Sequence, residues 1–292
     1  MITSILTLAY ISGLVGGTWI FAFRSKTFLH RKSPVPTGEK MMREPGHSLA
    51  LKVEAKMERW MLTSAFLCLG PIPFLASAGK VSTGLLWFGL SSWVWFVLLF
   101  GAGFACSFFL SKQIRSLANY FLGLRGERLV GEMLHSMLKD GFEVFHDFPI
   151  EPDGKTGNID HILVGPNGVF AIETKTYRKP TEAADGKNYE VKFDGKELRF
   201  PHHTTKQGIG QATHNARLLS KHLSQETGQT IGVAPVLTLP GWFVDSTSWE
   251  PLLVLNPKGI RKILLNKPVC LDDELIRKIC VAIERRCRDV EF

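Results

Sequence analysis

Two acidic residues and one lysine occur at short spacings in the middle of the chain. Asp160 lies thirteen residues before Glu173, and Lys175 follows Glu173 by two residues. Carboxylate oxygens bind Mg²⁺, which commonly takes one or two carboxylates together with water and substrate phosphate. A lysine beside such a cation can contact the phosphate or the attacking water. These residue types therefore fit metal-assisted phosphodiester hydrolysis, with Mg²⁺ or Mn²⁺ held by Asp160 and Glu173.

The segments that carry these three residues indicate a β-hairpin. Residues 158–164 and 169–175 are rich in apolar and β-branched residues, and the sequence Gly-Pro-Asn-Gly lies between them. Asn-Gly between two apolar runs is a strong indication of a hairpin. A two-residue loop then predicts a register in which Asp160 lies opposite Glu173.

The same register predicts which side chains share a face of the hairpin. It pairs Gly165 with Gly168 beside the loop, and side chains alternate between the two faces from there onward. One face carries the polar side chains of Asn158, Asp160, Glu173 and Lys175. The other face carries side chains suited to core packing, namely Ile159, Leu163, Phe170 and Ile172.

Two carboxylates that face each other across a hairpin repel one another. Their Cβ atoms are about 4.5–5.5 Å apart, so one carboxyl group tends to hold a proton unless a positive charge is nearby. A divalent cation removes this conflict, which favours a metal site at Asp160 and Glu173. The alternative is a solvated Asp–Glu–Lys group on a half-exposed hairpin, and the spacing alone does not exclude it.

The remainder of the chain after residue 111 indicates an α/β domain in which strands and helices are interleaved. Helical spacing of apolar residues occurs at 117–139, 206–223, 258–265 and 272–287. Strand-like segments occur at 142–150, in the hairpin, and at 189–193, 198–200, 231–239 and 252–255. These elements predict a mixed sheet packed by helices, in which the polar stretch 181–205 has no clear place.

The hairpin segment resembles the core motif of the nuclease-related (NERD) domain family. Residues 158–175 show an Asn-Ile-Asp-His strand, a Gly-Pro-x-Gly turn and an Ile-Glu-x-Lys strand in that order. Upstream, residues 126–130 resemble the opening Gly-Glu-x-x-Val signature of the family. Downstream, Gln211 and Asn215 resemble its Gln-x-x-x-Asn element. The resemblance covers residues 120–240.

This resemblance implies the fold of the PD-(D/E)xK nuclease superfamily, a restriction-endonuclease-like mixed sheet flanked by helices. It implies that Asp160, Glu173 and Lys175 are the catalytic residues. It also implies that Glu127, on the preceding helix, completes the metal site. The alternative is that Glu127 is an ordinary exposed acid on the surface of that helix. Because the family is called nuclease-related largely from its sequence pattern, the resemblance supports the fold more strongly than the activity.

Residues beyond the catalytic strand are candidates for nucleic-acid binding. Tyr177, Arg178 and Lys179 follow Lys175 and combine an aromatic ring with two cations. That combination suits base stacking and phosphate contacts, although a solvated strand end is equally compatible with it. The same predicted nucleic-acid-binding set includes two polar residues of the later helix, Gln211 and Asn215.

Histidines and cysteines give weaker indications of chemistry. His161 should point to the face opposite Asp160, which indicates a buried structural role. His202 and His203 follow a proline in a polar stretch, where a solvated loop is favoured over a metal site. The five cysteines show neither metal-ligand spacing nor a disulfide framework, which favours free thiols in a reducing compartment.

Long uncharged runs in the first third of the chain predict membrane segments. Residues 2–23 contain no charged residue and are long enough to cross a bilayer as a helix. Runs at 60–78 and 81–110 predict a helical hairpin, with buried soluble helices as the alternative. Basic residues at 24–59 and after residue 110 place those parts in the cytoplasm and the N-terminus outside.

The predicted organisation therefore has four parts. They are a transmembrane helix at 1–23, a basic cytoplasmic segment at 24–59, a transmembrane hairpin at 60–110, and a cytoplasmic NERD-like domain at 111–292 with its core motif at 120–240. A multi-pass protein of a bacterial inner membrane fits this order.

The sequence thus predicts a membrane-anchored, Mg²⁺- or Mn²⁺-dependent nuclease that acts on DNA or RNA at the cytoplasmic face. The formal net charge of +8 favours a polyanionic partner, either nucleic acid or anionic lipid. Two alternatives remain open. One is a non-catalytic nucleic-acid-binding module with the same fold, and the other is a membrane scaffold whose domain binds a protein partner.

Overall fold

The computed structural model describes residues 40–69, 92–151, 157–180, 188–248 and 250–290. Their contacts divide into two compact units. One unit combines Glu39–Leu51 with Tyr120–Glu291, and the other includes Lys52–Asn119. The unit with the candidate site thus combines most of the predicted domain at 111–292 with residues from the predicted basic segment.

The helices and strands are numbered here in chain order. The helices are α1 His47–Leu69, α2 Ser92–Leu134, α3 Ile209–Thr227, α4 Pro257–Leu265 and α5 Asp273–Cys287, with a 3-10 turn at His135–Asp140 after α2. The strands are β1 Met41–Met42, β2 Glu143–Ile150, β3 Gly157–Gly165, β4 Gly168–Thr174, β5 Glu190–Phe193, β6 Leu198–Arg199, β7 Thr204–Thr205, β8 Val233–Thr238, β9 Phe243–Ser246, β10 Leu253–Leu255 and β11 Arg288–Val290.

Five strands form the main sheet in the order β10-β8-β4-β3-β2. The β2–β3 and β3–β4 pairs are antiparallel, whereas the β4–β8 and β8–β10 pairs are parallel. A parallel neighbour needs a crossover connection, and α3 lies in the connection between β4 and β8. This mixed sheet with flanking helices confirms the predicted α/β class.

The β3–β4 hairpin has the predicted register. Gly165 pairs with Gly168, and the pairing continues without a shift as far as His161. Gly168 has a φ of 125°, a conformation that residues with a side chain rarely adopt, so glycine suits this end of the loop. Asp160 and Glu173 come directly after the last pair, and both therefore lie at the same end of the hairpin.

Apolar side chains cover both faces of the hairpin. On the face that carries Glu173, Ile162 and Ala171 belong to a core with side chains of α3 and α5, which include Ala216, Leu219, Leu223, Ile279 and Ile283. On the opposite face, the core contains Leu163, Phe170 and Ile172 of the hairpin and Val130, Leu134, Ile260 and Leu264 of α2 and α4. The polar end of the hairpin is therefore enclosed by packed helices rather than half exposed.

The structure corrects the predicted face of Ile159. This side chain belongs to the core of Ile162 and not to the core of Leu163. The reason lies in the neighbouring strand, where Asp147 has a φ of 52° and the β2–β3 pairing skips it while continuing on both sides. The changed backbone direction brings Phe148, the partner of Ile159, into the same core.

The polar stretch without a predicted place forms most of a second sheet. Its four strands have the order β7-β6-β5-β9, with β5 antiparallel to β6 and parallel to β9. The predicted strands at 189–193 and 198–200 correspond to β5 and β6, whereas β9 was not predicted. The core beneath this sheet includes Val191, Phe193, Leu198, Phe200 and Trp242.

Most of the predicted membrane segments lie outside the described residues. This is true of all of 2–23 and of 70–91, the centre of the predicted hairpin. Within the parts of the chain that the structure describes, no helix is both long and apolar enough to cross a membrane. The helix α1 begins in the predicted basic segment, and α2 continues into the predicted domain.

Candidate active site

The two candidate metal ligands are buried side by side at the end of the β3–β4 hairpin. Asp160 is 5% exposed and Glu173 is 2% exposed. The Oδ2 atom of Asp160 accepts a hydrogen bond from the backbone N–H of Thr174, at 2.7 Å. That bond fixes the Asp160 carboxylate beside the end of β4, directly next to the residue that carries the second carboxylate.

Lys175 links the second carboxylate to helix α3. Its Nζ atom donates to Oε1 of Glu173 at 2.6 Å and to Oε1 of Gln211 at 3.0 Å. The other oxygen of Glu173, Oε2, accepts from Nδ2 of Asn215 at 3.1 Å. Both oxygens of Glu173 therefore have a donor, and two of the residues involved belong to one face of α3.

The pattern of apolar residues in α3 explains why Gln211 and Asn215 face the site. Ala212, Ala216, Leu219 and Leu223 are buried at three- and four-residue spacing, so the helix presents this side to the sheet. Asn215 lies on the same buried side and is 4% exposed. The amide is therefore held between the helix and the sheet, close to Glu173.

A glycine at the start of α3 allows the helix to approach Lys175. Gly208 has a φ of 90°, and a Cβ atom there would lie 2.9 Å from Cγ of Lys175. A side chain at this position would therefore be strained and would also displace the lysine stem. The close approach lets Gln211 reach the Lys175 ammonium.

Burial disfavours the ionised forms of both acids of the site. Burial raises the pKa of Asp160 well above its usual value, and the charges of Glu173 and Glu127 raise it further. The hydrogen bond from the Thr174 N–H and the charge of Lys175 lower the same pKa but do not cancel this rise. Burial likewise raises the pKa of Glu173, although Lys175 and Asn215 oppose this. For Lys175, burial lowers the pKa, but the charge and hydrogen bond of Glu173 outweigh it, and the net pKa is raised.

Glu127 lies near this site but does not complete a three-ligand cluster. Glu127 lies in α2 and is only 8% exposed, so the alternative interpretation of an exposed helix acid is wrong. Its charge reaches Asp160, because it contributes to the raised pKa of that carboxyl group. Among the described residues, no three His, Cys, Asp or Glu side chains are placed to hold a metal ion together. Asp160 and Glu173 are thus the pair that the fold brings together.

Four of the five predicted nucleic-acid-binding residues fall into two groups. Arg178 and Lys179 are exposed, as such contacts require. Gln211 and Asn215 contact Lys175 and Glu173 instead, and the buried Asn215 amide cannot reach nucleic acid without leaving Glu173. The Asn215 amide is therefore engaged with Glu173 and not presented at the surface.

Tyr177 belongs to an aromatic cluster that the sequence did not predict. Its ring lies 4.6 Å from the ring of Phe200, and the exposed ring of His203 stacks on Phe200 at 4.7 Å with an interplanar angle of 7°. Trp242 donates from Nε1 to the backbone oxygen of Tyr177 at 3.2 Å. The cluster forms because the second sheet brings aromatic side chains to the end of β4.

A buried histidine pair lies behind the site. His161 is fully buried, as predicted, and its Nδ1 lies 2.9 Å from Nδ1 of His146, which the sequence did not single out. Burial lowers the pKa of His146 to about 4, with a further contribution from His135. Burial also lowers the pKa of His161, and His146 lowers it further. The pair is therefore neutral at physiological pH.

The site lies within a stretch of chain that matches a known family. Residues 122–240 match the nuclease-related domain, NERD. The nuclease-related domain begins in α2, before Glu127, and ends just after β8, so it contains every predicted site residue. It leaves out residues 40–51, β10, α4 and α5, which belong to the same compact unit.

One known protein shares similarity with a short part of the chain. A stretch of 69 residues is 39% identical to an uncharacterized protein of Bacillus anthracis. The match covers 23% of this chain and 32% of that protein, so it spans about a third of the relative. No solved structure gives a significant match.

The buried histidine pair predicts loss of stability in acid. The unfolded chain protonates His146 near pH 6.5, but the folded chain does so only near 4. The free energy of unfolding should therefore fall as the pH falls from 6.5 to 4, by on the order of 3 kcal/mol from this residue. We expect His146→Gln to unfold at a midpoint that depends less on pH across this range than that of the unsubstituted chain.

Urea unfolding at a series of pH values, followed by tryptophan fluorescence, measures this dependence. The exposed His202 provides the control, because His202→Gln should keep the original dependence on pH. Identical pH dependence in the original chain and His146→Gln would contradict the assignment.

Proposed function

We propose that this chain is a divalent-metal-dependent nuclease that hydrolyses phosphodiester bonds of DNA or RNA. The observation that carries the proposal is the pair of buried carboxylates, Asp160 and Glu173, with Lys175 hydrogen-bonded to the second of them. All three lie in the nuclease-related domain. Helix α2, the antiparallel strands β2 to β4, helix α3 and the parallel strand β8 follow one another in a way compatible with a restriction-endonuclease-like core, with the short strands β5 to β7 inserted before α3.

The donor atoms of the site fit Mg²⁺ or Mn²⁺. Both ions prefer oxygen ligands, and Mg²⁺ is commonly bound by only one or two carboxylates. Asp160 and Glu173 would hold the ion, with Glu127 as the nearby third acid. Burial raises the pKa of both carboxyl groups, so their ionised forms are only partly compensated by the protein, and a cation would compensate them further. When bound, the ion would supply Lewis-acid stabilisation and a more acidic bound water.

The other residues of the site have roles that follow from their contacts. The raised pKa of Lys175 keeps its ammonium group charged, so it can donate to a phosphate oxygen or to the attacking water. Gln211 holds the Lys175 ammonium, and Asn215 holds the Glu173 carboxylate. These bonds fix the two reactive groups relative to each other before substrate arrives.

Exposed residues beyond β4 supply a surface for the nucleic acid. Arg178 and Lys179 are exposed immediately after the catalytic strand, where cations can contact phosphates. The exposed ring of His203, stacked on Phe200 beside Tyr177, gives a flat surface on which an unpaired base can stack. The net charge of +8 supports binding of a polyanion.

A cleavage assay on the purified full chain tests the proposal directly. Labelled single- and double-stranded DNA and RNA are incubated with Mg²⁺, Mn²⁺ or EDTA. We expect metal-dependent cleavage that Glu173→Gln and Lys175→Ala each reduce by about 100-fold or more, because each removes a group needed at the phosphate. Glu226→Gln, an exposed acid on α3, is the matched control and should cleave normally.

The outcomes of this assay separate the alternatives. Failure of the unsubstituted chain to cleave any of the four substrates, with salt-sensitive binding retained, would leave the non-catalytic binding module. Loss of both cleavage and binding would favour the scaffold that docks a protein. Cleavage by Glu173→Gln at the rate of the unsubstituted chain would show that the active site does not include Glu173.

The contacts of Asn215 predict a specific effect on metal dependence. Asn215→Ala removes the donor to Oε2 of Glu173, so the carboxylate loses part of its fixed orientation. Outer-sphere partners of this kind affect metal affinity or activity by about 10- to 100-fold. We expect the Mg²⁺ concentration for half-maximal cleavage to rise within that range.

A titration of cleavage rate against Mg²⁺ measures this effect, with Gln225→Ala on the exposed side of the same helix as the control. A lower rate with an unchanged Mg²⁺ midpoint would show that Asn215 supports folding and does not position Glu173.

We also propose that the chain is anchored in a bacterial inner membrane, with the nuclease-related domain in the cytoplasm. The uncharged runs at 2–23, 60–78 and 81–110 and the basic residues of 24–59 support this. The chain should stay in the membrane pellet after high-salt and alkaline-carbonate washes of cell fractions. Release by either wash would contradict the anchor, and a protease-accessible domain in intact spheroplasts would contradict its orientation.

A further inference from the structure

Strand β2 carries a buried acid that has no part in the proposed reaction. Asp147 is 1% exposed, and its backbone has a φ of 52°, which is uncommon for a residue with a side chain. Its Oδ2 atom accepts from Nη1 of Arg43 at 2.9 Å and from Oγ of Ser48 at 2.5 Å. A charge in such a place must be compensated, and Arg43 provides the compensation.

Arg43 and Ser48 belong to residues 40–51, which precede the nuclease-related domain by more than seventy residues. This segment is attached at several points. Strand β1 pairs with β11, and the backbone N–H of Arg43 donates to the oxygen of Cys287 at 3.0 Å. The Arg43 guanidinium also donates to both carboxylate oxygens of Asp289, at 2.7 and 2.6 Å. The segment is therefore an ordered part of the unit.

The same segment packs against α2 beside Glu127. A Cβ atom on Gly131 would lie 2.5 Å from the ring of Pro45, so the helix backbone and the proline are in close contact. Gly46 has a φ of 74°, and a Cβ atom there would lie 2.6 Å from Cδ1 of Leu124 and 3.6 Å from Cβ of Glu127. Residues 40–51 thus contact the helix at Glu127 as well as the acid of β2.

Asn158 connects the buried acid to the candidate metal ligand. Its Nδ2 atom donates to Oδ1 of Asp147 at 2.8 Å and lies 3.5 Å from Oδ1 of Asp160. An amide nitrogen has two hydrogens, so the bond to Asp147 directs the second hydrogen toward Asp160. The other oxygen of Asp160 is already held by Thr174.

We propose that residues 40–51 position the candidate active site, with Arg43 and Ser48 as positioning residues that act on Asp160 through Asp147 and Asn158. The proposal rests on the proposed nuclease function for its catalytic consequence, but its structural part stands on these contacts alone. The nuclease-related domain of this chain is then incomplete without the segment that precedes it by some seventy residues of sequence.

The test compares Arg43→Ala with a matched arginine elsewhere in the full chain, purified in detergent. Arg261 makes with Asp140, at 2.7 Å for both bonds, the bidentate contact that Arg43 makes with Asp289, but it has no contact with Asp147. We expect Arg43→Ala to lower cleavage by about 10- to 100-fold, Arg43→Lys to restore part of it, and Arg261→Ala to leave it unchanged.

A second readout does not depend on cleavage. The Thr174 N–H is bonded to Asp160, so its hydrogen–deuterium exchange reports whether that carboxylate keeps its place. Arg43→Ala should exchange faster at Thr174 than the original chain, and Arg261→Ala should not. If Arg43→Ala does not fold, Ser48→Ala and Asn158→Ala take its place with the same expectation.

The two readouts separate this inference from the proposed function. Absence of cleavage in the original chain, with faster Thr174 exchange in Arg43→Ala, would refute the nuclease function and support the positioning role. Unchanged exchange at Thr174 in Arg43→Ala would overturn the positioning role, whether or not cleavage is reduced.

Discussion

The burial of two carboxylates at one end of a hairpin is the constraint on which the rest of the site depends. Removing an ionised carboxylate from water costs on the order of several kcal/mol unless other groups compensate it. The Thr174 N–H, the Lys175 ammonium and the Asn215 amide compensate part of this cost. The pKa values of both acids nevertheless remain raised, mainly by burial. The three donors therefore compensate the buried carboxylates only in part, and the proposed cation would compensate the remainder. Each donor can contribute only if it is held in place.

The donors come from parts of the chain that are distant in sequence, and the fold brings them together by packing. Helix α3 supplies Gln211 and Asn215 because its apolar side lies on the same sheet face as Glu173. Gly208 permits the close approach of that helix. The contact of Arg43 with the buried Asp147 in turn depends on the position of residues 40–51, whose strand β1 pairs with β11. A carboxylate that lost such partners would have either to take up a proton or to regain water.

The sequence was sufficient for the hairpin because the hairpin is determined locally. The turn residues fix the register, and alternation then places Asp160, Glu173 and Lys175 together. The sequence also grouped Asn158 with Asp160, and its Nδ2 atom lies 3.5 Å from Oδ1 of Asp160. Its partner Asp147 was not predicted, because Asp147 contributes through a backbone conformation that residue types do not reveal. The parallel pairing of β5 with β9 also escaped prediction, since such pairs join segments far apart in sequence and leave no local pattern.

The extent of the family match and the extent of the folded unit differ for a physical reason. A sequence pattern of a family records residue types at fixed local spacing, and residues 122–240 contain all of the acids and the lysine. The charge that compensates Asp147 is at Arg43, outside that stretch, and the helices that cover the sheet faces include α4 and α5, also outside it. A fragment cut at the limits of the match would leave a buried carboxylate without its cation and two sheet faces partly uncovered. The unit that can hold the site is therefore larger than the domain that sequence comparison defines.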